Sequence, residues 1–276
     1  MDYRTADSRR WRQNCEHHGL NEHERGIATT TMEEASLQRP VRRLAPVRVD
    51  GFAVYQIVSA LYGQNCYVIA EKESAEAIVI DPGYGACAVV NTILAETGCA
   101  LVYIVLTHGH FDHIANLNEL RTHWPCKVVA TAATSDMLPF PKKNLSAFHP
   151  VAPYVAKRAD VLMLEESERL PWGMEEIILH RSPGHTAGCL TVEMPRMLFT
   201  GDTLIKNEKT IAKLPGGNGR SLAKSLKFIF ETFPPECILF PGHGESLLLG
   251  STQPEIHCPF YSRWSDGVKG YSLLCS

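Results

Sequence analysis

From Gly51 to about residue 250 the apolar residues come in short runs closed by Gly, Pro, Asn or Asp, and the runs alternate between two periods. "FAVYQIVS" and "QNCYVIAE" have the length and the β-branched and aromatic content of strands. The turn-forming "LYGQN" lies between them, so the pair predicts a hairpin. "AEAIVIDPGYG" predicts a third strand that ends at Asp81, Pro82 and Gly83. "CAVVNTILAETG" repeats its apolar residues at helical spacing and stops at Gly98. "LVYIVL" is then a buried strand, "IANLNELRTHW" a helix and "KVVAT" a strand. Later, "EEIILHR", "CLTVEM" and "RMLFTGDT" predict strands, "SLAKSLKFIFETF" a helix and "CILFPGHGE" a last strand. Early hairpins followed by helical crossovers fit an α/β class in which sheets pack together with helices outside.

Two segments break this pattern. Residues 1–46 hold arginine clusters, glutamates and "QRPVRRLAP" with little apolar periodicity, which reads as a mobile or peripheral N-terminal extension to a body at 47–276. Cys15, His17, His18 and His23 in that arm match the spacing of no closed metal site. Residues 137–170 lack a clear period and contain four prolines. We read them as an excursion beside the site opening, helical around "APYVAKRADVLMLEE".

Composition narrows the class without naming a function. A hydrophobic fraction of 45% and a charged fraction of 21% are those of a globular protein, and no apolar run is long enough to span a membrane. The formal net charge of −3 weighs against a nucleic-acid partner. The charged N-terminus has no apolar core of a secretory signal. Nine cysteines, odd in number and without a C-x-x-C pair, read as buried thiols in a reducing, cytoplasmic compartment.

The chemistry concentrates in "LTHGHFDHIANL", where His108, His110, Asp112 and His113 follow directly on a strand. One imidazole at a strand end needs no explanation. Three imidazoles and a carboxylate are the nitrogen and oxygen donors that a borderline divalent ion takes. His185 in "SPGHTAG", Asp202 in "FTGDTL" and His243 in "FPGHGE" also follow apolar strands and sit beside Gly184, Gly201 and Gly242. Ligands gathered at one rim of a sheet are where α/β proteins keep their sites. Five histidines and two aspartates suffice for two ions.

These residues resemble the metallo-β-lactamase superfamily, whose H-x-H-x-D-H signature stands intact as His108, His110, Asp112 and His113, with His185, Asp202 and His243 in family order. The resemblance implies a four-layer αββα sandwich over residues 52 to about 250. It implies one ion on His108, His110 and His185, a second on Asp112, His113 and His243, and Asp202 bridging them. Asp81 in "VIDPG" matches the family's strand-end aspartate, which stands behind the ligands. The implied cofactors are two divalent ions, zinc in the first place, with iron or manganese also suited to His and Asp donors. Such a pair holds a bridging hydroxide as nucleophile, and Asp112 would orient it or move its proton.

Within the superfamily, "GDTLIKNEKTIAKLPGGNGRSLAKSLKFI" is most similar to glyoxalase II and its short relatives, which hydrolyse thioesters such as hydroxyacyl-glutathione. The expected function is therefore a thioesterase acting on a small acyl substrate or a carrier-protein thioester, with a homodimer left open. Two departures count against glyoxalase II itself: only a short tail follows His243, and the stretch from His113 to His185 is enlarged. Lys142, Lys143, Lys157 and Arg158 in that stretch could meet an anionic group or form a solvated face. "LPGGNG" lacks the spacing of a phosphate loop and reads as a connector near the metals. The alternatives are a lactonase or β-lactam-opening hydrolase, and a sulfur dioxygenase with one iron.

Overall fold

The structure, a computed structural model, describes residues 40–149, 153–206 and 208–252; Cys15, His17, His18 and His23 lie outside the described residues. Strand β3 (Phe52–Val58) is buried at every position, as is β4 (Asn65–Glu71). Such strands must be covered on both faces, and alternation along β3 divides the cover. Phe52 and Val54 enter a core shared with the opposite sheet, whereas Ala53, Tyr55 and Ile57 enter a second core beneath helices.

The first sheet has eight strands. Its main order is β1 (Arg42–Arg43), β3, β4, β5 (Glu76–Ile80), β6 (Ala100–Val105), β7 (Lys127–Thr131) and β8 (Val161–Met163), and β2 (Val47–Val49) also pairs with β3. Pairing is antiparallel up to β5 and parallel from β5 to β8. The second sheet has six strands in the order β14 (Leu247–Leu248), β13 (Ile238–Pro241), β12 (Met197–Gly201), β11 (Leu190–Met194), β10 (Glu175–Arg181) and β9 (Ser167–Trp172). Only its β12–β13 pair is parallel.

Between the sheets lie Ile69, Ile78, Leu179, Val192 and Phe199, and the Phe199 and Phe240 rings stack 4.8 Å apart. Helix α1 (Ala86–Thr97) buries Ala86, Cys87, Val90, Ile93 and Leu94 on the outer face of the first sheet and ends at Gly98, where φ is +70°. Helices α2 (Phe111–Ile114), α3 (Leu117–His123) and α4 (Ala132–Ser135) follow; α3 adds Leu117 and Leu120 to the same layer. Helix α5 (Gly219–Thr232) covers the second sheet with Leu222, Leu226, Ile229 and Phe230. The result is the expected four-layer αββα sandwich of two mixed sheets.

The segment 137–170 departs from expectation. No helix forms at the described residues of "APYVAKRADVLMLEE"; that stretch is irregular and then becomes β8, while β9 follows and edges the other sheet. The backbone of the irregular part is held by other groups. Ala156 N–H donates to Leu138 O and Ala159 N–H to Ser135 Oγ, and Arg121 donates to the carbonyls of Lys157 and Arg158. Pro153, which lacks an amide N–H, falls within the expected helix.

The described cysteines are free thiols: Cys66, Cys87, Cys99, Cys189 and Cys237 are buried and Cys126 is partly so. Among the described residues no helix is long and apolar enough to cross a membrane.

Candidate metal centre

The spacing of the histidine motif has a geometric cause. His110 is extended, with φ −71° and ψ 148°, so His108 and His110 leave the chain on a common side. The single turn of α2 then swings Asp112 and His113 to a different one, closed by His113 N–H donating to His110 O. Three further strand ends complete the set. β10 leads to His185, β12 to Asp202 and β13 to His243, all at one rim of the sandwich.

All seven predicted residues meet there in overlapping groups. His108, His110 and His185 form one triad and Asp112, His113 and His243 another, the ligand atoms of each lying within 4.8 Å of one another. His110 Nδ1 stands 2.9 Å from His185 Nε2, and His113 Nε2 stands 3.4 Å from His243 Nε2. Asp202 lies between the triads: Oδ1 is 3.4 Å from His113 Nε2, and Oδ2 is 3.6 Å from both His185 Nε2 and His243 Nε2. Asp112 Oδ2 is 3.4 Å from His243 Nε2, and these two side chains are 17% and 18% exposed while His113 is fully buried. The cluster is therefore open to solvent on the Asp112–His243 side.

The outward nitrogens are fixed by partners behind the cluster. His113 Nδ1 donates to Asp81 Oδ2 at 2.8 Å, which turns Nε2 inward. His185 Nδ1 donates to Ile211 O at 2.7 Å, with the same effect. Asp81 also accepts the Thr107 N–H at 2.7 Å and the Thr107 hydroxyl. Asp81, His108 and His113 form a third close triad, but Asp81 already accepts three hydrogen bonds and is better suited to orient ligands than to bind. It does so with φ at +52°, a conformation unfavourable for a residue with a Cβ and tolerated where surroundings demand it. Thr107, Gln64 and the Ile211 carbonyl are site residues that sequence reading missed. Gln64 Nε2 donates to Asp81 O at 3.0 Å, but nothing in "LYGQN" signals that role. Thr107, immediately before His108, could have been suspected from "LTHGH".

Electrostatics separate the cluster into two characters. Burial pushes the His108 imidazole well below its ordinary value, helped by His113 and His110, and burial with His185 takes His110 down to about 4. Both are neutral lone-pair donors near neutral pH. Burial would also lower His113 and His243, but the Asp202 and Asp112 carboxylates outweigh it and raise both. Burial would raise Asp202, yet His243, His113 and His185 hold it well below the carboxylate range. A cation fits what is left over: His108 Nε2 and Asp202 Oδ1 are buried without a hydrogen bond. Each such atom costs roughly 1–3 kcal/mol unless something satisfies it.

Two glycines make room. A Cβ on Gly242 would stand 2.2 Å from Asp202 Oδ1 and 2.8 Å from His113 Cε1, and one on Gly201 would stand 2.3 Å from Thr107 Oγ1. The loop after β13 is further tied to the first sheet, since Asn65 N–H donates to Gly242 O at 2.7 Å and Asn65 Nδ2 to Gly244 O at 2.8 Å. The four basic residues of the 137–170 segment lie apart from this construction in local contacts where contacts exist. Lys143 sits over the Phe140 ring, Lys157 pairs with Asp160 and Arg158 with Asp136.

Comparison with known proteins agrees with this geometry. The family description "Metallo-beta-lactamase superfamily" matches residues 60–243. An uncharacterised protein of Aquifex aeolicus is 31% identical over 192 residues, covering 67% of this chain and 87% of that protein. The probable polyketide biosynthesis zinc-dependent hydrolase BaeB of Bacillus velezensis is 27% identical over 194 residues, covering 70% and 79%. Among solved structures, the B3 metallo-β-lactamase BLEG-1 superposes with a TM-score of 0.67 at 30% identity, covering 74% of this chain and 97% of that one.

Proposed function

Because this chain belongs to the metallo-β-lactamase superfamily, we propose that it is a dinuclear-metal hydrolase of thioesters or closely related acyl substrates. The observation that carries the proposal is the position of Asp202, whose two oxygens approach histidines of both triads. In this reading His108, His110 and His185 hold one ion, Asp112, His113 and His243 the other, and Asp202 serves both. Zinc suits the nitrogen-rich donors and matches the name of the relative BaeB; iron and manganese suit the same set. When bound, the ions supply a water ionised near neutral pH and a Lewis acid for the substrate carbonyl.

The chain's own residues do the rest. Asp81 and the Ile211 carbonyl hold His113 and His185 in the tautomers that present Nε2 to the centre. Asp112, at the open edge, would orient the attacking water or take up its proton on the carboxylate. Asp202 supplies negative charge where cations would otherwise repel. A thiolate leaving group needs little help from a general acid, which suits a site built mainly of metal ligands. The similarity of "LPGGNG" and the helix after it to glyoxalase II supports the thioester class. In this structure that segment lies beside the centre, with Asn218 N–H donating to Gly184 O.

A second reading, β-lactam or lactone opening, draws on the likeness to BLEG-1. One screen on metal-reconstituted protein separates them, using glutathione, coenzyme A and carrier-type thioesters, a lactone and a chromogenic β-lactam, with metal content measured in parallel. Thioester turnover at about two ions per chain is expected. Turnover of lactone or β-lactam alone, or one iron per chain with oxygen consumption, would overturn the thioesterase.

A further inference from the structure

The second sheet carries another group of reactive side chains on the face that α5 covers. Ser167 on β9, His180 on β10 and Glu193 on β11 lie across three adjacent strands. Ser167 stands directly opposite His180 in register, and Glu193 is opposite Ile178, so it reaches His180 diagonally on the same face. His180 Nδ1 is 2.8 Å from Ser167 Oγ, and His180 Nε2 is 2.6 Å from Glu193 Oε2. An ionised glutamate can only accept, so in the neutral ring Nε2 carries the proton and Nδ1 offers a lone pair. The Ser167 hydroxyl then donates to Nδ1. The imidazole is buried and fixed in place, its centroid 5.3 Å from the Phe228 ring and 5.6 Å from Phe233. Ser167, in contrast, is exposed and lines a cleft of about 300 Å³ together with Arg181, Pro183, Ser221 and Lys224.

A nucleophile hydrogen-bonded to a base, with the base oriented by a third group, is the arrangement that activates a serine. We propose that Ser167, His180 and Glu193 form a second, metal-independent nucleophilic site that accepts the acyl group of a small carboxylic ester. Ser167 Oγ bonds to the carbonyl carbon while its proton passes to His180 Nδ1. The ester C–O bond then breaks, and the alcohol leaves with that proton. Water repeats the sequence on the acyl-serine, releasing the carboxylic acid and restoring the hydroxyl. Glu193 keeps its hydrogen bond to Nε2 and so stabilises the imidazolium. Arg181 in the cleft is paired with Glu166, which leaves Lys224 as the cation for the carbonyl oxygen as it becomes negative.

The test is covalent labelling of the full-length, metal-loaded protein with a fluorophosphonate reagent, mapped by peptide mass spectrometry. One adduct on Ser167 is expected, absent in Ser167→Ala and formed roughly a hundredfold more slowly in His180→Gln, which has no base. Glu193→Gln keeps a hydrogen-bonding partner beside the ring and guards against loss of folding in the histidine variant. It should slow labelling at least about tenfold with an unchanged thermal melt. A serine held only for sheet stability would not react. Failure to label Ser167 while the reagent modifies a control serine hydrolase would overturn the proposal, as would labelling of Glu193→Gln at the parent rate.

Discussion

Asp202 shows how much one side chain can be asked to do. Its carboxylate is the only one within 3.6 Å of histidines from both triads among the described residues, and its Oδ1 has no hydrogen bond. Asp202→Asn keeps the shape and removes the charge. Activity toward the best substrate of the screen should fall by roughly 10²–10³-fold or more, with the far-ultraviolet spectrum unchanged. Elemental analysis should show loss of at least one ion per chain; full metal content with activity within twofold of the parent would remove Asp202 from its bridging role. The thiols make a different point at the same scale. Burial pushes Cys66 well above the ordinary thiol value and takes Cys189 up to about 11. In the unfolded chain both ionise near pH 8.5, so their contribution is intact below that pH and is lost as pH rises toward the folded values. Iodoacetamide at pH 8 should leave Cys66 and Cys189 unmodified in the native protein and label both in denaturant, and the melting temperature should fall from pH 9 to 11.

At the scale of elements, the regular parts of the chain were legible because each one combines a period with a stop. "CAVVNTILAETG" gave α1 with its end at Gly98, and "FAVYQIVS" gave β3. The seven clustered residues were legible for a related reason, since each ends or follows an apolar run. The 137–170 segment was not legible, because distant groups determine its structure. Asn144 is fully buried: its Nδ2 donates to Leu138 O and Tyr154 O, its Oδ1 accepts from Ser146 N–H, and its own carbonyl accepts from Phe111 N–H. No periodicity records such a hub. Because Phe111 lies between His110 and Asp112, the hub also braces the histidine-rich turn. Asn144→Ala should cost about 1–3 kcal/mol, from groups left unsatisfied, read as a lower denaturant midpoint at unchanged slope. A midpoint shift below a few tenths of a kcal/mol would mean that the segment stands without it.

For the whole molecule, the cluster joins two sheets whose shared core lies elsewhere. The inter-sheet packing of Ile69, Ile78, Val192 and Phe199 uses no ligand, so the sandwich should survive metal removal while the rim loosens. A metal present at a thousandfold its Kd contributes about 4 kcal/mol, and for a domain of this size that corresponds to roughly 8–16 °C in Tm. Chelation should lower Tm by that order. It should also speed amide exchange at residues 107–113, 183–186 and 242–244 and leave β3 and β4 protected. Uniform acceleration across both sheets would instead show that the ions hold the entire fold.

His113 and His243 approach to 3.4 Å across 130 positions of chain. At synthesis rates of about 5–20 residues per second, that separation amounts to on the order of ten seconds on the ribosome. During that interval the nascent chain has the H-x-H-x-D-H motif, gains His185 and then Asp202, and lacks His243 until the end. An emerging chain can thus offer an ion only a partial, readily exchanged set of donors. A complete set of donors must wait until β13 has brought His243 to the rim beside β12, so an ion that needs all of them can be held only once nearly the whole sandwich has been made.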